Sequence, residues 1–254
     1  MLGYRVASAI VMLPPVVTAI WLGAPLFDML TILFAVIMAW EWNTMAKGRG
    51  ADIAMPFFGV AATITAAIDY VMLSLVVVIG GATLVWLRTG NKWPAVGILY
   101  TALPCIALVW LRAADGPETL LWLFLVVWVT DITAYGVGRW IGGPRLAPSV
   151  SPGKTWAGAI GGLVAAMGVG GEVAVLLDLA APWILVAASA GTSVVAQIGD
   201  LAESKLKRHF GVKDSGRLIP GHGGVLDRVD GVLAVAPVVA GAVLISGGGV
   251  RLWG

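Results

Sequence analysis

The chain has 254 residues, 59% of them hydrophobic and only 12% charged, with a mean hydropathy of +0.93. An ordinary soluble domain is nearer half apolar, so this composition excludes one. Sixteen basic against fourteen acidic side chains leave a net charge of +2, too small to argue for a nucleic-acid partner.

Apolar runs of about 17–25 residues are long enough to cross a bilayer core as helices. Such segments fall near 6–23, 26–43, 54–68, 71–87, 94–111, 119–137, 156–177, 182–199 and 231–250. They predict an all-α, polytopic integral membrane protein of about nine transmembrane helices in one membrane domain. The first run passes Pro14-Pro15 to Gly23 with no small-residue cleavage site, so it is expected to be a retained span rather than a signal peptide. The short 54–68 segment and 71–87 are separated by Asp69-Tyr70 and read as a helical hairpin. Cys105, the single cysteine, lies inside an apolar run and reads as buried packing. No soluble second domain or low-complexity linker is expected. A GxxxG spacing at Gly158–Gly162 reads as close helix packing.

Basic residues orient the spans. With the N-terminus in the cytoplasm, Arg5, Lys47, Arg49, Arg88, Lys92, Arg139, Arg145, Lys154, Lys205, Lys207, Arg208, Lys213, Arg217 and Arg228 fall inside. Only Arg112 and Arg251 fall outside. The division follows the positive-inside rule and predicts a cytoplasmic N-terminus with nine spans.

Polar chemistry is concentrated in two inside segments. The first runs from Asp131 through Tyr135 and Arg139 to Ser151-Pro-Gly-Lys154-Thr155-Trp156. Gly153-Lys154-Thr155 is not a P-loop, because Pro148 stands where that motif needs its first glycine. Lys154 reads as a cation at a helix start, where free backbone N–H groups also favour anions. Asp131 closes an apolar run, and a carboxylate at membrane depth is a functional candidate by default. Glu41, between Trp40 and Trp42, has the same status, although a structural partner would explain either acid equally well.

The second segment starts at Gly199-Asp200. If the eighth span continues as helix, Asp200, Glu203, Ser204, Lys207 and Arg208 share one face. An acid followed two turns later by paired cations suits a metal-bound polyphosphate, whereas Lys205 and Arg217 read as a lipid-facing basic patch. Next come Pro220-Gly-His222-Gly223-Gly224 and then Asp227, Arg228 and Asp230. Glycines there permit unusual backbone angles and close approach to the main chain. Carboxylates such as Asp227 are natural ligands for Mg²⁺. Asp230 reads equally well as a helix-start charge. Two histidines make a poor zinc site, so His222 reads as a phosphate donor or a clamp of the glycine turn.

The run Ser204-x-x-Lys207-Arg208-x₄-Lys213-Asp214-x₅-Pro220-x-His222-Gly-Gly-x-x-Asp227-Arg228-x-Asp230 resembles the signature of phosphatidate cytidylyltransferases. Asp131-x-x-Ala-Tyr135-x-x-Gly138-Arg139 and Ser151-Pro-x-Lys154-Thr155-Trp156 are also similar to that family. The specific likeness covers roughly 131–231, with only hydropathy shared before it. Gly153 and Ala157 depart from the family pattern, which has a basic and an acidic residue there.

The resemblance implies that CTP and phosphatidate react to CDP-diacylglycerol and pyrophosphate with Mg²⁺, one ion or two. It implies Asp200 and Asp227 as metal ligands, with Asp131 near the site and Lys207 and Arg208 in the catalytic set. Ser204, Lys213, His222, Gly223, Gly224, Arg228, Lys154 and Thr155 would bind substrate. Residues 1–118 would be N-terminal helices, and 119–254 catalytic helices with cytoplasmic loops 138–156 and 200–230. The expected location is the inner membrane, with the site facing the cytoplasm and a homodimer left open. A CTP-dependent polyprenol or phytol kinase and an ion-coupled transporter are the competing readings.

Overall fold

The computed structural model describes residues 13–46, 54–216, 218 and 223–253. Among them the chain forms nine α-helices: α1 (Leu13–Leu22), α2 (Leu26–Met45), α3 (Ala54–Ala67), α4 (Val71–Thr89), α5 (Lys92–Asp115), α6 (Pro117–Ile141), α7 (Trp156–Leu176), α8 (Pro182–His209) and α9 (Leu226–Ser246). Seven of these are long and apolar enough to cross a membrane, while α1 and α3 are shorter among the described residues. The protein is an all-α, multi-pass membrane protein. Arg5, Lys47, Arg49, Arg217 and His222 lie outside the described residues.

One element departs from the all-helical expectation. Strands β1 (Arg145–Ala147) and β2 (Ser151–Thr155) pair antiparallel between α6 and α7. Pro148, Pro152 and Gly153 are poor strand residues, which is why the sequence reads there as a turn. Thr155 ends the hairpin and caps α7, its Oγ1 accepting from Gly158 N at 3.1 Å.

The chain divides into two compact units, each described here by itself. The first combines the helices before Glu118 with the segment His209–Val229. Within it α3, α4 and α5 pack against one another, and α2 packs on α3 and α5. Trp42, fully buried, stacks between Tyr100 and Phe210 with ring centroids 5.4 and 5.9 Å away. Trp93 of α5 lies 4.4 Å from the His209 ring. These rings fasten the start of the polar segment onto α2 and α5. Arg112 donates to the carbonyls of Ile20 and Trp21 at 2.5 and 3.0 Å, satisfying acceptors that α1 leaves open at its end.

The second unit holds α6, α7, α8 and most of α9. Apolar burial between helices gains little inside lipid, so close packing and interhelical hydrogen bonds carry the association. The GxxxG glycines do serve packing. A Cβ on Gly158 would stand 2.5 Å from the Ala134 carbonyl oxygen, and one on Gly162 2.9 Å from that of Thr130. Trp122 Nε1 donates to Ser189 Oγ at 2.9 Å, and Thr130 Oγ1 to Ser193 Oγ at 3.0 Å. Gln197 Nε2 reaches Ser193 Oγ and the Ala159 carbonyl, both at 3.3 Å, so polar contacts tie α6, α7 and α8.

Candidate active site

In the second unit, α8 continues as helix to His209, so the spacing read from Asp200 to Arg208 holds. Ser204 Oγ lies 3.4 Å from Asp200 Oδ1, and Lys207 Nζ lies 3.1 Å from Glu203 Oε2, each one helical turn apart. Asp200 also forms an ion pair with Lys154 of β2. The hairpin is what delivers Lys154, because β2 ends at Thr155 and its fixed cap on α7. Glu203 is buried, at 2% exposure, and Lys207 nearly so. Asp230 of α9 lies within electrostatic reach of Asp200 and Lys207 and accepts from Gly231 N at 2.8 Å. Arg208 and Asp131 are exposed.

In the first unit, the loop after α8 closes on two carboxylates. Asp227 Oδ2 accepts from Ser215 N at 2.8 Å, Ser215 Oγ at 2.9 Å and Gly224 N at 2.8 Å. Three donors fix its orientation. Glu41 is fully buried and accepts from Val225 N and Leu226 N, both at 2.8 Å. Gly223 adopts φ +85°, and a Cβ there would stand 2.6 Å from Asp227 Oδ2. The glycines thus admit the protein's own carboxylates to the main chain, where the sequence suggested a ligand. Lys213 and Arg228 are exposed.

The structure therefore joins Lys154, Ser204 and Asp200, and separately Gly224 and Asp227. Sequence reasoning missed Ser215, and it placed Glu203 and Lys207 on one helix face without pairing them. It flagged Glu41 as an acid at membrane depth but supplied no partner, since Val225 and Leu226 lie 184 and 185 residues away.

A metal ion fits this donor chemistry. Asp200 already holds a cationic ammonium, and carboxylate oxygens are the hard ligands Mg²⁺ takes. Among the described residues no group of three or more His, Cys, Asp or Glu side chains could hold a metal. Mg²⁺ commonly binds through one or two carboxylates plus substrate phosphates, which needs no larger cage.

Comparison with known proteins extends the likeness well beyond residues 131–231. A family model described as "Cytidylyltransferase family" matches residues 3–246. The "Phosphatidate cytidylyltransferase" of Brucella abortus biovar 1 (strain 9-941) is 41% identical over 246 residues, covering 92% of this chain and 90% of that protein. The protein of the same name from Brucella suis biovar 1 (strain 1330) matches to the same extent. That of Staphylococcus haemolyticus (strain JCSC1435) is 46% identical over 127 residues, half of this chain and 49% of its own. The N-terminal helices, for which only hydropathy was expected to be shared with the family, thus lie within the match. The chain belongs to the cytidylyltransferase family.

Proposed function

We propose that the chain transfers the cytidylyl group of CTP to phosphatidate, giving CDP-diacylglycerol and pyrophosphate, at the cytoplasmic face of the inner membrane. The observation that carries this reading is the near full-length identity to proteins named for that reaction. The clustering of Asp200, Lys154 and Ser204 suits it chemically.

A phosphate oxygen of the lipid attacks the α-phosphorus of CTP. The bond to the β-phosphate bridging oxygen breaks, and pyrophosphate leaves with the electron pair. The attacking phosphate is already ionised at neutral pH, so no strong general base is required. Both substrates are polyanions, and the protein's task is to neutralise and align them.

Lys154, Lys207, Arg208, Lys213 and Arg228 supply positive charge for the phosphates. Ser204, His222 and the main chain of Gly223 supply hydrogen bonds, while Gly224 N, expected from the sequence to bind substrate, donates to Asp227 instead. Thr155 acts by fixing the strand end that carries Lys154. Asp200 and Asp227 are the proposed Mg²⁺ ligands, and Asp131 stands near the site. Bound Mg²⁺ supplies charge neutralisation for the phosphates and the leaving group. Activity is proposed per chain, with or without assembly into a homodimer.

The test is purified protein with α-labelled CTP, phosphatidate and Mg²⁺. Labelled CDP-diacylglycerol with stoichiometric pyrophosphate is expected. Release of CDP with the γ-phosphate on the lipid would instead identify a lipid kinase.

A further inference from the structure

We propose that Glu41 is the positioning residue for Asp227, acting through the first turn of α9. The inference rests on Asp227 being a working carboxylate of the proposed reaction. Its geometry lies entirely within the first unit.

Glu41 sits near the end of α2 with no exposed surface. A buried carboxylate is costly unless hydrogen bonds replace its water. Here Oε1 takes Val225 N and Oε2 takes Leu226 N, both at 2.8 Å. Leu226 opens α9, so Glu41 occupies the place of a capping group and meets the positive end of the helix dipole. Asp227 is the next residue. Its orientation follows from the backbone angles at Val225 and Leu226, the two amides that Glu41 grips.

Asp227 Oδ2 is in turn held by Ser215 and Gly224. The Ser215 hydroxyl has one proton to give. At 2.9 Å from Asp227 Oδ2 and 3.5 Å from Glu41 Oε2, it serves Asp227. The loop is shaped to admit both acids. A Cβ at Gly216 would stand 2.7 Å from Glu41 Oε1, and one at Gly224 2.5 Å from the same atom. A helix-to-loop strap spanning most of the sequence thus converges on the backbone beside Asp227.

Glu41→Gln sets an amide donor against a backbone N–H and tests the link in three ways. Amide exchange in the peptide containing Val225 and Leu226 should accelerate. Mn²⁺ binding to the detergent-solubilised protein, followed by electron paramagnetic resonance, should weaken about ten- to a hundredfold, as for loss of a ligand's outer support. In the assay, kcat should fall by a similar factor while KM for phosphatidate stays unchanged. Glu41→Asp, which keeps charge and both oxygens, should recover part of each loss.

Should Glu41→Gln fail to fold, Glu41→Asp and Gly216→Ala decide, the latter displacing the carboxylate without deleting it. Folded variants that lose only thermal stability, with Mn²⁺ affinity and kcat per folded molecule as in the parent, would overturn the proposal. Absence of CDP-lipid formation by the parent protein would remove the proposed reaction instead. The Mn²⁺ and exchange measurements still decide the Glu41–Asp227 link in that case.

Discussion

Lys154 and Asp200 pair across two elements, and their substitutions should separate binding from folding. The side chains are 26% and 29% exposed, so as a structural ion pair they contribute about 0–1 kcal/mol. A charge-assisted contact to phosphate is worth about 1.5–3 kcal/mol, roughly ten- to a hundredfold in kcat/KM. Lys154→Ala should therefore lower kcat/KM for CTP by about tenfold or more with little change in Tm. Asp200→Asn should abolish turnover in folded protein, and a loss of stability alone would make it a structural acid. Arg208 follows Asp200 by two helical turns and is exposed, whereas Lys205 points to an adjacent face. Arg208→Ala should lose about tenfold or more in neutral and anionic micelles alike, and Lys205→Ala much less. Equal losses confined to anionic lipid would make the run a membrane tether. Individual acids and cations were legible at this scale because charge is conspicuous in an apolar chain. Their partners were not, because Lys154 meets Asp200 through a hairpin and Glu41 meets α9 through tertiary packing.

Helices were the most legible elements, since a span must be a long apolar run whatever its neighbours. The start of α9 shows where that logic ends. Apolarity placed it near residue 231, yet the helix begins at Leu226, because Glu41 from α2 satisfies the opening amides. A cap supplied from another helix leaves no local signature. The β1–β2 hairpin escaped for a related reason, as its residues favour a turn and its end is set by the Thr155 cap. The α6–α7 contact was legible as GxxxG and makes a contrast within one helix. Gly158→Leu drives a side chain into the Ala134 carbonyl, whereas a Cβ on Gly168 meets nothing within 4 Å. Overpacking costs about 1–3 kcal/mol, so Gly158→Leu should clearly lower Tm in detergent. Gly168→Leu should be tolerated, and equal losses would show that the packing reading of Gly158 is wrong.

At the scale of the whole molecule, composition alone gave the class, and the basic residues gave a direction. The proposed topology turns on α3, whose 14 residues rise roughly 21 Å against a hydrocarbon core of about 30 Å. If α3 crosses with its flanking residues, the turn at Asp69 lies outside and the following Arg88 and Lys92 lie inside. If α3 stays on the cytoplasmic side, Asp69 lies inside and those two cations move outside, against the positive-inside rule. Single cysteines decide between these arrangements, with buried Cys105 replaced by Ala to clear the background. Cysteines at Asp69 and Pro117 should react with an impermeant thiol reagent from outside, and one at Val212 only from the cytoplasmic side. Pro117 and Val212 are separated by α6, α7 and α8, three spans, so labelling of both from one face would break the odd count. Cytoplasmic labelling at Asp69, with α3 not crossing, would reverse every later span and put Pro117 inside and Val212 outside. Labelling of Val212 from outside would carry the segment that holds Asp214 and Asp227 away from CTP, and the proposed reaction with it.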